Sequence, residues 1–388
     1  MAMAKVSLAR ASLRYEWRRY LPAIFAVAFS GLLVLVQAAL MMGMFATTAV
    51  YIDKTDADLW IGSPGTQSID QGQPIDDDIE AFLHMHPDVM QVEAFQWGFG
   101  EWRQPGQGKI SVFLIGVQTR DGSLVMKEAL TPQLKALLKE PNTILIDEAD
   151  RQKLGVKVGA DINTPINNSA EINGIRVKIV GLTSGLKALG GVNVVTSLST
   201  ARALDNNLKH SDKVAYFVAK LRDPTTAERV KKELTPKGDL KRFEVWTKAE
   251  FSELSTLFWL FESGAGIGFL FSTVIAMVVG AVITSQTLMA AVAAAIKEYA
   301  TLRALGVRFA KLRAVVLEQS LWIGLIGLGI SLVMSFTLIW LARINYVPVS
   351  MNLILIAFSA LSVMAVALGS GLLALRQLKK ADPAALLR

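Results

Sequence analysis

Charge is missing from this chain over stretches that few folds can absorb. No residue between Arg19 and Asp53 is charged, none between Glu262 and Lys297, and none between Arg343 and Arg376; between Arg313 and Arg343 only Glu318 interrupts. Each run exceeds the roughly 20 apolar residues that a helix needs to cross a bilayer. Charged residues make up 19% of the chain, where soluble domains carry about 25%, and the deficit sits in these four blocks. A soluble enzyme does not cluster its apolar residues in this way. The expectation is an α-helical membrane protein with four transmembrane helices plus a large α+β extracytoplasmic domain between spans 1 and 2.

The basic residues say which side is which. The N-terminal segment carries Lys5, Arg10, Arg14, Arg18 and Arg19 against Glu16, and the connection after the second run carries Lys297, Arg303, Arg308, Lys311 and Arg313 against Glu298. The tail carries Arg376, Lys379, Lys380 and Arg388 against Asp382, whereas residues 52–262 hold 25 Lys+Arg and 29 Asp+Glu. By the positive-inside rule both termini are cytoplasmic and the large domain lies outside. The formal net charge of +7 is then a topology signal and does not point to nucleic acid. Trp17, Tyr20, Tyr51, Trp259, Trp340 and Tyr346 fall near the boundaries, as an aromatic belt would. The first run is far longer than a signal-peptide core of about 7–15 residues, so it reads as a span and not as a cleaved leader. Val6, Leu13, Trp17 and Tyr20 stand at helical spacing, consistent with an interfacial helix over residues 4–20 or with a plain basic flank.

The chain divides accordingly into an interfacial segment 1–20, span 1 at 21–52, the external domain at 53–262 and span 2 at 263–296. A cytoplasmic coupling segment 297–313, span 3 at 314–342, an external loop 343–351, span 4 at 352–375 and a tail 376–388 complete it. Spans 1 and 2 are overlong, with 33 and 34 consecutive uncharged residues. A helix of that length reaches about 50 Å against a hydrocarbon core of about 30 Å. The excess is either loop or a helical stalk for the external domain.

In that domain, Ala57–Ile61, Lys109–Gly116, Thr143–Ile146, Gly174–Val180, Val214–Leu221 and Glu244–Trp246 read as strands. Ile75–His86 reads as a helix with Asp76, Asp77 and Asp78 in its first turn, favourable for the helix dipole. A second helix runs through Lys153 to stop at Gly155, a third covers Thr225–Leu234 behind the Asp223-Pro224 turn, and Lys248–Ser263 leads helically into span 2. Two lobes are consistent with this order, the second made by the return of the chain near 205–250. The apolar stretch 185–195 is an exposed partner patch or a buried strand.

Chemistry is hard to find. There is no cysteine. His84 and His86 are two apart, which does not place them side by side on a helix, and His210 stands alone. A phosphate loop requires Gly, four residues, then Gly-Lys-Ser/Thr; Gly106-Gln107-Gly108-Lys109-Ile110 lacks the first Gly and the hydroxyl. No catalytic residue, metal or cofactor is expected in this chain, so any energy must come from another subunit. Glu318 is the one ionisable residue inside a span; it either snorkels or pairs with an Arg, or it serves as a conformational switch. Gly264, Gly266, Gly268 and Gly280 in span 2, with Gly324 and Gly327 in span 3, allow helices to approach closely, within the chain or across a homodimer.

Lys297-Glu298-Tyr299-Ala300-Thr301-Leu302-Arg303-Ala304-Leu305-Gly306 is a charged, amphipathic piece between two apolar runs, ended by a glycine. It reads as a basic topology flank or as a handle that a cytoplasmic partner can push. Glu298 to Gly306 is similar to the block that follows span 2 in FtsX/MacB-type ABC transporter permeases. Leu317-Glu318-Gln319 with Gly324 and Gly327, the closing Ala381 to Arg388, and more weakly Leu145-Ile146-Asp147, Leu154-Gly155 and Gly159-Ala160-Asp161 extend the likeness over the whole chain. Among these permeases it looks most like the DevC-type exporter permeases. The resemblance implies a bacterial inner-membrane protein, a homodimer on a separate ABC ATPase subunit, with Lys297 to Gly306 as the ATPase-coupling segment. It also implies a membrane-fusion adaptor and an outer-membrane channel as partners, and lipidic or bulky substrates. A signal transmitter that activates a cell-wall hydrolase and a lipoprotein-release permease are the alternatives.

Overall fold

A computed structural model describes residues 8–104, 108–156, 168–187, 191–206, 208–209, 211–235 and 242–380. The chain forms two compact units, one from Met1–Gly43 with Gly266–Arg388, the other from Met44–Ala265. Helix α1 (Leu8–Tyr15) is followed by α2 (Trp17–Ala46), an uncharged helix beyond Arg19. It ends where the Thr47 and Thr48 hydroxyls donate to the carbonyls of Met44 (2.6 Å) and Phe45 (2.7 Å). These side chains take acceptors that a continuing helix would use. A four-residue helix α3 (Val50–Asp53) follows.

The large domain then runs β1 (Leu59–Gly62), β2 (Ile75–Asp76), α4 (Ile79–His84), β3 (Val89–Arg103), β4 (Ile110–Val117), α5 (Pro132–Leu137), β5 (Thr143–Asp147) and β6 (Asn168–Ile172). It continues with β7 (Ile175–Thr183), β8 (Val192–Ser197), α6 (Leu198–Leu204), β9 (Lys213–Val214), β10 (Tyr216–Leu221), α7 (Ala227–Leu234), β11 (Glu244–Thr247) and α8 (Lys248–Leu257). Among the described residues nine strands form one sheet in the order β11-β1-β10-β3-β4-β8-β5-β7-β6, and β6 returns to pair with β3 at Trp102–Ile172. That last pairing closes six of the strands into a barrel. Strand β3 belongs to both halves: Val89 to Phe95 pair with β10, and Gln96 to Trp102 pair with β4.

Side-chain alternation explains the two halves. Every second residue of the barrel strands points inward, giving a core that includes Val112, Leu114, Ile144, Ile146, Val177, Ile179, Val192 and Val194. In the open half, α4 and α7 lay Ile79, Leu83, Val230 and Leu234 over Leu59, Ile61, Val92 and Phe217. On the opposite face Trp60 meets Phe95 edge-on at 5.4 Å, and Phe251 of α8 closes the same cluster.

Several expectations change here. The 15-residue strand β3 is absent from the sequence reading because Val92 to Gly98 are buried without interruption, which erases the alternating pattern. Asp76, Asp77 and Asp78 precede α4 and do not sit in its first turn. Arg242 holds Asp76 and Asp78 (3.2 and 2.8 Å) and Arg202 holds Asp77 (2.8 Å), so ion pairing has taken over from the helix dipole. The expected helix through Lys153 is only a 3-10 turn, Glu148–Asp150. Of the stretch 185–195, residues 188–190 lie outside the described residues, and Val192 onward is the buried strand β8. The returning chain near 205–250 does not make a lobe of its own; its β10 and β11 pair with β1.

After α8, Phe258–Glu262 form one π turn and Gly264 takes a left-handed conformation (φ 77°). The helix therefore breaks before α9 (Ala265–Ala294); of the two readings of the overlong runs, loop or helical stalk, a continuous stalk is interrupted on this side by Gly264 as it is by Thr47 and Thr48 on the other. Helices α10 (Ile296–Ala304), α11 (Phe309–Ile344) and α12 (Leu353–Lys380) complete the chain. Trp17–Ala46, Ala265–Ala294, Phe309–Ile344 and Leu353–Leu373 are each long and apolar enough to cross a membrane. This is a multi-pass membrane protein with its large α+β domain between the first and second spans.

Small residues set the packing of the membrane unit around α2. A Cβ on Gly280 of α9 would fall 2.0 Å from Ser30 Oγ, and one on Gly327 of α11 would fall 2.7 Å from Val27. Gly324 abuts Met364 and Ala367 of α12. Gly266 is buried. Among the described residues Gly264 and Gly268 have no neighbour within 4 Å, and neither packs one described helix against another. The aromatic belt is also smaller than expected: Trp17, Trp340 and Tyr346 are exposed, but Tyr20 and Tyr51 are each 1% exposed and face protein.

Candidate functional site

The segment after span 2 is a short helix with two chemically distinct faces. Helix α9 stops at Ala294, Ala295 lies in a turn, and α10 begins at Ile296. Ile296, Tyr299 and Leu302, three apart, face a core built from Tyr20, Leu288, Val292, Leu312 and Val316. Glu298, Thr301 and Leu305 lie on the exposed side, and Leu305 is 77% exposed, an apolar group on the same side as the polar Glu298 and Thr301. The side chains of Lys297, Ala300, Arg303 and Ala304 lie outside the described residues.

Gly306 ends this helix in a defined way. It adopts φ 86°, and the Val307 amide reaches back to the Leu302 carbonyl at 3.1 Å. That bond is the long closure of a Schellman motif, and Leu302 and Val307 both pack on the same core, the apolar contact that often accompanies the motif. Arg308 then precedes α11, so the chain turns and re-enters a span within four residues.

Tyr299 anchors the inner face. Its hydroxyl donates to Gln319 Oε1 of α11 at 3.1 Å, and Gln319 Nε2 donates to the Tyr20 hydroxyl of α2 at 3.1 Å. Tyr20 also meets Ser12 Oγ of α1 at 3.1 Å. A line of four hydrogen-bonded side chains thus joins α10 to span 3, span 1 and the N-terminal helix. Burial pushes the Tyr299 phenol above its ordinary value, which keeps it a neutral donor. Arg19 makes a second tie: its Nε donates to the Ala291 carbonyl (3.0 Å) and its Nη1 meets Glu16 (2.7 Å) and Glu298 (3.4 Å). Ala291 lies in the last turn of α9, where the helix dipole favours a cation.

Among the residues singled out from sequence, Tyr299 and Leu302 are brought to the core, while Glu298, Thr301, Leu305 and Gly306 stay at the surface. Glu318 lies one position from Gln319 and pairs with Arg10 of α1 at 3.7 Å. The sequence reading passed over Ser12, Arg19 and Gln319 as anchors and read Tyr20 as a belt residue. The available signal was Gln319 itself, an amide inside an apolar run that needs a partner once buried. The closing residues Ala381 to Arg388, His210, and Gly159-Ala160-Asp161 lie outside the described residues, as do Gly106 and Gln107. Lys109 salt-bridges Glu101 at 3.0 Å beside β4. His86 meets Glu233 at 2.9 Å, and among the described residues no group of three His, Asp or Glu is placed to hold a metal.

Comparison with known proteins places both units. The family described as MacB-like periplasmic core domain matches residues 22–237, more than half of the chain, and the family described as FtsX-like permease C-terminal matches residues 269–383. A crystal structure of the periplasmic region of MacB from Actinobacillus actinomycetemcomitans is 14% identical, with 52% of this chain and 94% of that one covered and a TM-score of 0.36. The extracellular domain of the noncanonic ABC-type transporter YknZ from Gram-positive bacteria is 13% identical, with 49% and 99% covered and a TM-score of 0.33. A comparison with curated proteins found no match.

Proposed function

The chain belongs to the FtsX/MacB-like family of ABC transporter permeases, which work with an ATPase partner, and we propose that α10 is the surface on which a separate ATPase subunit pushes. The observation that carries this reading is the relay from Tyr299 through Gln319 to Tyr20. A force on the exposed Glu298–Thr301–Leu305 face is passed to spans 1 and 3 through buried, directional contacts with no water to yield to. Arg19 adds span 1 and the end of span 2 to the same body. ATP and Mg are then held by the partner, and this subunit is a transmitter and not an enzyme.

The positive-inside bias of the segments around α1 and α10 supports a cytoplasmic location for both termini, in a bacterial inner membrane. Spans 1 and 2 carry the motion to the domain between them. In the exporter arrangement, of the DevC type, this chain works as a homodimer whose large domain contacts a membrane-fusion adaptor and, through it, an outer-membrane channel, on lipidic or bulky substrates.

Two variants test the reading in a reconstituted complex with the ATPase that co-purifies from native membranes. Leu305→Asp should abolish ATPase capture, because it places a charge on the exposed apolar contact. Tyr299→Phe should preserve capture and lose stimulation of ATP hydrolysis by the permease. Full capture and stimulation in both variants refutes the assignment. The external protein that co-purifies, an adaptor or a cell-wall hydrolase, separates export from signalling.

A further inference from the structure

A cleft of about 260 Å³ lies between α1 and span 3, lined by Arg10, Leu13, Arg14, Trp322 and Ile326. Its composition is that of a site for an amphiphile with an anionic head. Arg10, Leu13 and Arg14 share one face of α1 at spacings of three and four, and Trp322 and Ile326 share one face of α11 at a spacing of four. The two elements thus contribute different chemistry: two guanidinium groups from one, an indole and a branched aliphatic chain from the other.

The position fits as well. Trp322 stands nine residues beyond Arg313, about 13 Å along the helix axis. An amphipathic helix in the interface buries its apolar face roughly 5–10 Å into the boundary between headgroups and acyl chains. The Arg10 guanidinium lies 4.9 Å from the centre of the Trp322 ring and its Nε is 3.7 Å from Glu318, while its side chain stays 67% exposed. The head of Arg10 is thus oriented by an acid and a ring, and most of it still faces outward. Leu321, Leu325 and Ile326 beside it are exposed apolar residues, so the wall of the cleft that α11 provides is open to lipid.

We infer that this cleft binds one anionic phospholipid of the surrounding leaflet, its phosphate on Arg10 and Arg14 and the start of an acyl chain on Leu13, Trp322 and Ile326. A free inorganic anion would satisfy the arginines and leave the apolar wall bare. A zwitterionic lipid brings its own cation to a site whose two arginines already outnumber, among the described residues, the one carboxylate, Glu318. The bound lipid fills the notch between α1 and span 3 and so steadies the helix whose Ser12 ends the Tyr299 relay.

Native mass spectrometry of the full chain, equilibrated with equal amounts of phosphatidylglycerol and phosphatidylcholine, tests this. Each arginine near a membrane surface is worth about a fivefold change in binding to anionic lipid. Wild-type protein should retain phosphatidylglycerol preferentially, Arg14→Gln should lower that retention about fivefold, and Arg10→Gln with Arg14→Gln should bring it to the level of phosphatidylcholine. The charge-matched pair Arg18→Gln with Arg313→Gln should keep the preference. Arg14→Gln alone leaves the Arg10–Glu318 pair intact and carries the test if the double variant does not insert. Unchanged retention in Arg14→Gln, an equal fall in the charge-matched pair, or displacement of the lipid by excess inorganic phosphate each overturns the proposal.

Discussion

Tyr299 donates its hydroxyl to the side-chain oxygen of Gln319 at 3.1 Å, with Tyr299 4% and Gln319 2% exposed. A pair closed off in this way has no water to replace either partner, so it specifies one seat for α10 against span 3. The amide of Gln319 extends the specification to Tyr20 in span 1. Hydrophobic burial alone would allow α10 to rotate or slide on its core; two directional bonds on one side chain do not.

Replacing Tyr299 by Phe keeps the ring in the core and leaves the Gln319 oxygen buried without its donor. A loss of about 1–3 kcal/mol in stability is expected. A double-mutant cycle with Gln319→Met, read by thermal unfolding in detergent, should give a coupling of about 1 kcal/mol. Strict additivity of the two single changes would mean that the bond holds nothing in place.

Gly306 stands at φ 86°, where a Cβ costs roughly 1–2 kcal/mol. Among the described residues no neighbour within 4 Å would meet that Cβ, so the cost of Gly306→Ala is one of backbone conformation. The Schellman closure should loosen, and hydrogen exchange at the Val307 amide, bonded to the Leu302 carbonyl, should quicken by about tenfold. Gly306→Asn should fall between, since Asn tolerates the left-handed region. Equal exchange in Gly306→Ala and wild type would show that the cap does not hold the end of α10.

The spans were legible because charge inside a bilayer is costly, so its absence between Arg19 and Asp53 carries unambiguous information. The end of α10 was legible because few residues other than glycine adopt the conformation of Gly306. The relay was not legible. Tyr20 and Gln319 are 299 residues apart, and at a membrane boundary a ring facing lipid and a ring facing another span leave the same sequence pattern. Strand β3 failed for a related reason: covered on both faces from Val92 to Gly98, it has no polar side to set its period. Glu318 stands out in the sequence for its charge, whereas the buried polar contact belongs to the neighbouring amide of Gln319.

The large domain should respond to acid in two opposed steps. Burial raises Asp147 and Asp150 above the usual carboxylate range. Their ionisation therefore costs stability at neutral pH, and stability should rise as pH falls through their raised folded values toward the unfolded value near 3.9. Asp56 is held below the usual range by its hydrogen bond to Lys220, so its contribution persists above the unfolded value and is lost only at lower pH. Asp150 accepts the Asn193 amide at a long 3.5 Å, a bond that an Asn side-chain oxygen can keep. Asp150→Asn should raise the melting temperature at pH 7 and flatten the gain on acidification, followed by tryptophan emission. Parallel curves for variant and wild type would show that Asp150 does not titrate in that window.

Spans 1 and 2 touch where Gly280 faces Ser30. A Cβ on Gly280 would lie 2.0 Å from Ser30 Oγ and 2.5 Å from Ser30 Cβ. The first clash is relieved by rotating the hydroxyl, but the second is fixed by the backbone of span 1. Gly280→Ala should therefore force the helices apart and cost about 1–3 kcal/mol, in the range of overpacked cores. The compensating change distinguishes contact from a general effect on helix propensity. Ser30→Ala removes only the movable atom and should rescue little, whereas Ser30→Gly removes both and should restore most of the thermal stability of Gly280→Ala. Equal rescue by the two, or rescue by neither, would mean that this contact does not set the spacing of the spans. Because Arg19 bonds the Ala291 carbonyl three turns further along α9, a separation at Gly280 should also weaken the seat of α10. Loss of ATPase stimulation should then accompany the loss of stability and return with Ser30→Gly.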